Sequence, residues 1–130
     1  MMIKYSTMPT DEKATLVAGF LHEKKGVDVL ALDVRAISTA AEAMIIVSAT
    51  SVRQAQALAD NLSDFCSEQG IEYMGMEGYA SAQWLLVDLN DVIVHVFQEE
   101  TRSFFNLEGL WVKAGIIADH REPGSASEQA

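Results

Sequence analysis

Three aspartates at or beside predicted strands are the residues of this chain best placed for metal-dependent chemistry. Asp33 and Asp88 lie near the ends of two predicted strands, and Asp91 lies in the predicted turn that follows Asp88. Carboxylates near strand ends could hold Mg²⁺ for phosphoryl or nucleotidyl transfer. In the competing interpretation Asp33 marks a strand end, Asp88 faces water and Asp91 is a turn residue. The spacing constrains a metal site so little that we favour this structural interpretation.

The histidines and hydroxyl groups provide weaker support for catalysis. Asp88 could orient His95, but no nucleophile or oxyanion donor is evident near them. His22 is expected on a solvated helix face and His120 in a disordered tail. The sequence contains no GxxxxGK, GxGxxG or GxSxG motif and no HxxxH or Cys/His metal spacing. We therefore predict no catalytic residues, no metal and no cofactor.

A predicted β-hairpin is the most informative element. Its strands, Trp84–Leu89 and Val92–Phe97, are rich in β-branched and aromatic residues and are separated by Asn90-Asp91, which suits a tight turn. This register pairs Leu85 with Val96. The aliphatic face then consists of Leu85, Val87, Leu89, Val92, Val94 and Val96. We call the opposite side the mixed face; it consists of Trp84, Leu86, Asp88, Ile93, His95 and Phe97.

The mixed face is the candidate binding surface. Trp84 lies across from Phe97 and Asp88 lies diagonal to His95, so that aromatic, imidazole and carboxylate groups share one side of the hairpin. Such side chains suit a partly solvated site better than a fully buried core. Rigid aromatic side chains also carry much of the binding energy of protein interfaces. We predict that Trp84, Asp88 and His95 point outward.

Composition limits the class of protein. The chain has 130 residues, is 49% apolar and carries a net charge of −10, which is consistent with one folded acidic domain. That charge disfavours direct nucleic-acid binding and suits a basic protein partner, although solubility alone explains it. No stretch is apolar enough for a membrane span and the start lacks a signal-peptide core. The lone Cys66 is expected in the core, and we predict a cytoplasmic protein.

The order of predicted elements is α, β, β, α, β, β, β, α. Before the hairpin we predict a helix capped by Thr10, strands over 28–35 and 42–49, a helix capped by Ser51, and a strand over 71–76; after it, a helix over 100–110. The strand-helix-strand step over 42–76 suggests a parallel pair. We predict a single α/β domain with a mixed five-stranded sheet and flanking helices, a flexible leader over 1–9 and a disordered tail over 112–130.

Three segments carry a resemblance to a known family: GVDVLALDVRAIS (26–38), EAMIIVSATSVRQAQALAD (42–60) and EGYASAQWLLVDLNDVIVHVFQEETRSFFNLEGLW (77–111). The chain resembles the ribosome-silencing factors, also called Iojap-like proteins, over about residues 10–111. The D-V-x-V-H-V hairpin, the E-x-x-R that follows and the closing L-E-x-L-W are highly characteristic.

The resemblance implies a nucleotidyltransferase-like fold without nucleotidyl transfer. It also implies binding to the large ribosomal subunit through ribosomal protein number fourteen. Bound there, the protein would block joining of the small subunit and repress translation when nutrients are limiting. Self-association through the mixed face is a further alternative. Carried over by position, the partner-binding residues are Trp84, Asp88, His95, Glu99, Glu100, Arg102, Phe105 and Glu108.

The chain departs from the usual pattern of the family at a few positions. Glu42 stands where an aspartate is common. The run G-T-S-x-R-H reads Ala49 to Gln54 here and lacks both the glycine and the histidine. Phe105 replaces a common tyrosine, which keeps the ring area but removes a hydroxyl that could hydrogen-bond the partner.

Overall fold

A computed structural model describes residues 8–106, 109 and 114–121, with residues 104 and 105 described as backbone only. Three helices and six strands lie within these residues. They are α1 Thr10–Glu23, β1 Val27–Asp33, β2 Ala43–Ala49, α2 Val52–Gln69, β3 Gly75–Glu77, β4 Trp84–Asp88, β5 Val92–Gln98, α3 Glu99–Phe105 and β6 Gly115–His120. No helix among them is long and apolar enough to cross a membrane.

The strands form one mixed sheet in the order β3-β4-β5-β2-β1-β6. Only β2 and β5 pair in parallel among these strands, and the other neighbours are antiparallel. The mixed character of the sheet is confirmed, but the predicted parallel pairing within residues 42–76 is wrong. The chain crosses from β2 through α2 to β3 at the sheet edge, and the β4–β5 hairpin returns β5 to the side of β2.

The prediction of five strands is wrong because β6 adds a sixth. It pairs antiparallel with β1, with Ala31 opposite Ala118. Residues 115–120 had been expected in a disordered tail, so that expectation is also wrong for this stretch. Local pattern did not reveal β6, since it is an edge strand whose Ile116 is 57% exposed while Ile117 packs against the core. His120 in β6 stacks on His22, with ring centroids 4.6 Å apart.

The main hydrophobic core lies between the sheet and the pair α1 and α2. It joins the apolar stripes of both helices to the aliphatic face of the hairpin. Cys66 belongs to this core as predicted, and burial raises the pKa of its thiol to about 11. A smaller cluster on the opposite face of the sheet contains Leu30, Leu32, Val34, Met44, Ile46 and Phe97. The sheet therefore has a large core on one side and a partly covered surface on the other.

The two predicted helix caps differ in outcome. The Ser51 hydroxyl accepts a hydrogen bond from the backbone N–H of Gln54 at 3.0 Å, so the cap of α2 is confirmed. Thr10 does not cap α1 but is its first residue. Its hydroxyl lies within hydrogen-bond distance of the carboxylates of Asp91, at 2.6 Å, and Glu42, and donates its single proton to one of them at a time. The Thr10 hydroxyl therefore forms tertiary hydrogen bonds instead of the helix cap that the local sequence predicts.

A buried lysine joins α1 to the hairpin turn. Lys13 is 1% exposed, and its ammonium donates to Asp91, to Glu72 at 2.7 Å and to the carbonyl of Leu89 at 3.2 Å. Burial alone lowers the pKa of Lys13, but the hydrogen bonds and charges of Asp91 and Glu72 outweigh it and raise the pKa above its usual value. This network fixes the turn of the hairpin against the helix layer.

Candidate functional site

The predicted hairpin register is confirmed. Leu85 pairs with Val96, Val87 with Val94 and Trp84 with Phe97. The Leu89 N–H donates to the Val92 carbonyl at 2.9 Å, and Asn90 adopts the left-handed conformation that the two-residue turn requires (φ 79°). All six residues of the aliphatic face are fully buried. The mixed face is consequently the side of the hairpin turned away from the main core.

Three rings form a cluster on the mixed face. The indole N–H of Trp84 donates to Nδ1 of His95 at 2.9 Å. The Trp84 ring lies 5.0 Å from that of Phe97, and the rings of His95 and Phe97 are nearly parallel at 6.0 Å. Trp84 is 36% exposed, whereas Phe97 is fully buried. The cluster presents one large aromatic side chain to solvent while a hydrogen bond limits its rotation.

His95 supports this cluster from beneath, and the expectation that it points outward is wrong. It is only 6% exposed. Burial lowers its pKa to about 4, so the imidazole is neutral at pH 7. Since Nδ1 accepts from Trp84, the proton of the neutral ring resides on Nε2. That buried Nε2 has no hydrogen-bond partner among the described residues. The alternation of the strand places His95 on the mixed face as predicted, but the rings of Trp84 and Phe97 cover it.

Arg102 is also inside the structure rather than on its surface. It is 7% exposed, and its guanidinium donates to the Ser48 hydroxyl at 2.9 Å and toward the Val27 carbonyl at 3.4 Å. The family resemblance implied that Arg102 contacts the partner. In the fold, α3 lies over β2 and β5, which turns Arg102 inward. Its observed contacts hold α3 on the sheet beside the aromatic cluster.

The acidic residues of the proposed contact set remain at or near the surface. Asp88 is half-buried, and its carboxylate accepts from the backbone N–H of Asn90 at 2.8 Å, which stabilises the turn. Glu99 and Glu100 are exposed in the first turn of α3. Glu108 and the side chain of Phe105 lie outside the described residues. Carboxylates therefore lie at both ends of the hairpin, with Asp88 next to the turn and Glu99 and Glu100 at the start of α3.

Two apolar residues on the mixed face complete this surface and were not singled out as binding residues. Leu86 and Ile93 are half-buried, although their neighbours on the aliphatic face are fully buried. Their place in the alternating pattern was the available signal. We define the docking surface as Trp84, Leu86, Asp88 and Ile93 with the adjacent Glu99 and Glu100. It has an apolar centre and acidic neighbours, which is suited to a protein partner with basic groups around an apolar contact.

The three aspartates considered for a magnesium site have separate structural roles. Asp33 binds the guanidinium of Arg35 at 2.9 Å, Asp91 binds Lys13 and Thr10, and Asp88 stabilises the hairpin turn. Burial raises the pKa of Asp91, but its hydrogen bonds with Lys13 and Thr10 outweigh that effect and lower it. No group of three or more potential metal ligands converges within the described part of the chain. The transfer-enzyme alternative thus lacks the carboxylate arrangement on which it was based.

Gln54, one of the departures from the family pattern, is used structurally. Its side-chain amide donates to the Lys25 carbonyl at 3.0 Å, and its side-chain oxygen accepts from the Thr50 N–H at 2.6 Å. These contacts join the start of α2 to the turn before β1. The altered loop therefore retains a hydrogen-bonded helix start.

Comparison with known proteins agrees with this architecture. The model of the family described as "Ribosomal silencing factor during starvation" matches residues 7–130. Ribosomal silencing factor RsfS of Halalkalibacterium halodurans is 41% identical over 110 residues, which cover 85% of this chain and 94% of that protein. A crystal structure of a Chromobacterium violaceum protein superposes with a TM-score of 0.76 at 35% identity, covering 80% of this chain and 87% of the other.

A more distant relative is the mouse protein named "Mitochondrial assembly of ribosomal large subunit protein 1". It is 25% identical over 99 residues, which cover 74% of this chain and 43% of that protein. The family match over residues 7–130 includes α1 and the hairpin. The chain belongs to the family of ribosomal silencing factors.

Proposed function

We propose that this protein binds the large ribosomal subunit through ribosomal protein number fourteen and prevents the small subunit from joining. The result is lower translation in the cytoplasm when nutrients are limiting. The observation that carries the proposal is the docking surface: an exposed indole held by His95, with half-buried Leu86 and Ile93 beside it. Membership of the family supports the ribosome as the target, and the name of the mouse relative mentions the large subunit.

The proposed mechanism is steric occlusion. A domain bound to the surface that the small subunit must contact excludes that subunit without any chemical turnover, so no catalytic group is needed. The nucleotidyltransferase-like fold implied by the resemblance then serves as a scaffold, because function resides in the site rather than the fold. Within the contact set, Trp84, Asp88, Glu99, Glu100, Phe105 and Glu108 would touch the partner. His95 and Arg102 would act from inside by holding Trp84 and α3.

Pre-organisation favours tight binding by this surface. A tryptophan side chain has two rotatable torsions, and the hydrogen bond to His95 already limits them. Less side-chain entropy is therefore lost when the partner binds. The carboxylates of the docking surface and the net charge of −10 would favour encounter with a basic protein, in a salt-dependent manner.

Sedimentation with purified large subunits tests the proposal. The Trp84→Ala variant should fail to co-sediment, while Ile37→Ala should bind normally; Ile37 is a 46% exposed apolar residue outside the hairpin. Truncation of a central aromatic anchor typically costs about 2 kcal/mol or more, roughly a thirtyfold loss of affinity. If the folded Trp84→Ala protein co-sediments as well as the wild type does, the assigned surface is wrong.

Subunit joining is measured separately. Wild-type protein added to free subunits should lower the fraction of joined ribosomes in a sucrose gradient, and Trp84→Ala should not. Normal binding without any effect on joining would contradict occlusion while leaving the interface intact. Light scattering of the free protein tests whether the same surface also pairs two copies; a dimer that Trp84→Ala dissociates would support self-association.

A further inference from the structure

A groove between α1 and α2 opens on the helix side of the sheet, opposite the docking surface. It has a volume of about 360 Å³ and is lined by Thr15, Leu16, Gly19, Phe20, Glu23 and Phe65. The rings of Phe20 and Phe65 stack across it with centroids 4.1 Å apart. Leu16, Phe20 and Phe65 are only partly buried against the core. Apolar surface therefore remains available between the two helices.

Gly19 is the unexpected residue in this groove. Glycine inside a helix reduces helix stability relative to alanine, so its presence usually has a packing or functional reason. A Cβ atom built on Gly19 would meet nothing within 4 Å among the described residues. Packing within the described chain therefore does not require a glycine here. A segment from outside the chain, lying close to the α1 backbone, would require one.

The rim of the groove is mainly acidic. Glu23 lines it directly. Glu12 lies one helical turn before Leu16, Glu68 lies one turn after Phe65, and both are exposed. A basic group also lies at this rim: the ammonium of Lys24 is 5.7 Å from the centre of the Phe20 ring. An apolar floor with acidic edges complements a segment that has an apolar stripe and basic flanks.

We infer that this groove is a second docking site, which takes a basic amphipathic helix of a protein partner. A third helix can pack against two neighbouring helices, with its apolar residues at i, i+3, i+4 and i+7 in the groove between them. The 14 residues of α1 span about 21 Å, which matches a partner helix of similar length. A second copy of this chain would bring a like-charged acidic rim and is disfavoured.

The two docking sites lie on opposite faces of the sheet. The aliphatic face of the hairpin contacts the helix layer, whereas Trp84 belongs to the mixed face. One molecule could accordingly bind a partner at each site at the same time. The inference does not depend on the proposed ribosomal function, since it rests on contacts of α1 and α2 alone.

Calorimetric titration of the full-length protein with a synthetic peptide tests this site. The probe is an amidated peptide of about 14 residues with leucines at helical a and d spacing and lysines elsewhere. Gly19→Gln places a neutral side chain in the groove and should weaken binding at least about tenfold. Ser67→Gln adds the same side chain at an exposed position on the other flank of α2 and should leave affinity within about twofold of the wild type.

Four results would overturn the inference, given circular dichroism spectra that show both variants folded. Equal affinity of Gly19→Gln and Ser67→Gln would place the peptide elsewhere. Equal binding of a peptide with glutamates in place of the lysines would remove the charge argument. A dimer dissociated by Gly19→Gln would identify a second copy as the occupant. Binding about tenfold tighter to a protein lacking residues 1–7 would identify that segment as the occupant.

Trp84→Ala should leave peptide affinity unchanged, which separates this test from that of the proposed function.

Discussion

Replacing Lys13 by methionine should destabilise the protein strongly at pH 7. Methionine retains most of the length and apolar volume of the side chain but removes the ammonium that pairs with Asp91 and Glu72. Breaking a buried ion pair by removing one partner costs about 3–5 kcal/mol, because the remaining charge stays desolvated. Glu72 is nearly buried, with a side-chain exposure of 7%, whereas that of Asp91 is 26% and water can partly solvate it. We therefore expect a loss of about 3 kcal/mol in the free energy of unfolding.

The pH dependence gives a second measure of this network. The pKa of Asp91 is lowered in the folded state, so its contribution is present above the unfolded pKa and is lost as pH falls through the folded value. The pKa of Lys13 is raised, so its contribution is present below the unfolded pKa and is lost as pH rises through the folded value. The destabilisation caused by Lys13→Met should therefore be largest near neutral pH and should shrink in acid.

Urea unfolding of a double-mutant cycle is the assay. Lys13→Met, Asp91→Asn and the double variant, each measured at pH 7 and in acid, isolate the coupling between the two residues. Hydrogen exchange should also show faster opening at the hairpin turn, because Lys13 binds the Leu89 carbonyl as well. A loss below about 1 kcal/mol, or a coupling energy near zero at pH 7, would show that the network does not hold the turn to α1.

Three further predictions follow from individual contacts. His95→Phe should change stability by less than about 1 kcal/mol in urea unfolding, since it removes both the acceptor for Trp84 and an Nε2 that has no partner among the described residues. The same variant should weaken co-sedimentation with large subunits; normal co-sedimentation would show that Trp84 needs no positioning. Gly19→Ala should stabilise the protein by about 0.5–1 kcal/mol in the same assay, because a Cβ atom at this position meets nothing within 4 Å among the described residues. Destabilisation would show that another group does contact this position. Cys66 should react with a thiol reagent at pH 7 only as fast as the protein opens, because its side chain is fully buried and burial also raises its pKa to about 11; rapid labelling of folded protein would contradict this.

Local rules are sufficient to predict the hairpin and α2. The Asn90-Asp91 turn and the period-two alternation determine the register from Trp84 to Phe97, because both act between residues close in sequence. Ser51 caps α2 for the same reason, and Gly70 ends that helix in the left-handed conformation. The family resemblance rests on these same segments, so the sequence identifies the type of protein without any tertiary contact.

Tertiary structure decided which of the predicted site residues reach the surface. Alternation places His95 on the mixed face, but only the packing of Trp84 and Phe97 determines that it is buried there. Arg102 turns inward because α3 lies on the sheet, and the Ser48 hydroxyl that it contacts is distant in sequence. A sequence pattern assigns a side chain to a face but does not state what covers that face.

Long-range pairing was likewise beyond the sequence pattern. The parallel pairing of β2 with β5 depends on a hairpin that returns across the sheet, and β6 becomes a strand only because the edge of β1 is available. Lys13 is similar, since its place on the apolar stripe of α1 is tolerable only with Asp91 and Glu72 beside it. The sequence by itself determined the local elements, the hairpin register and the family. Only the tertiary structure decided strand order, burial and the partners of buried charges, because these depend on residues that meet after the chain has folded.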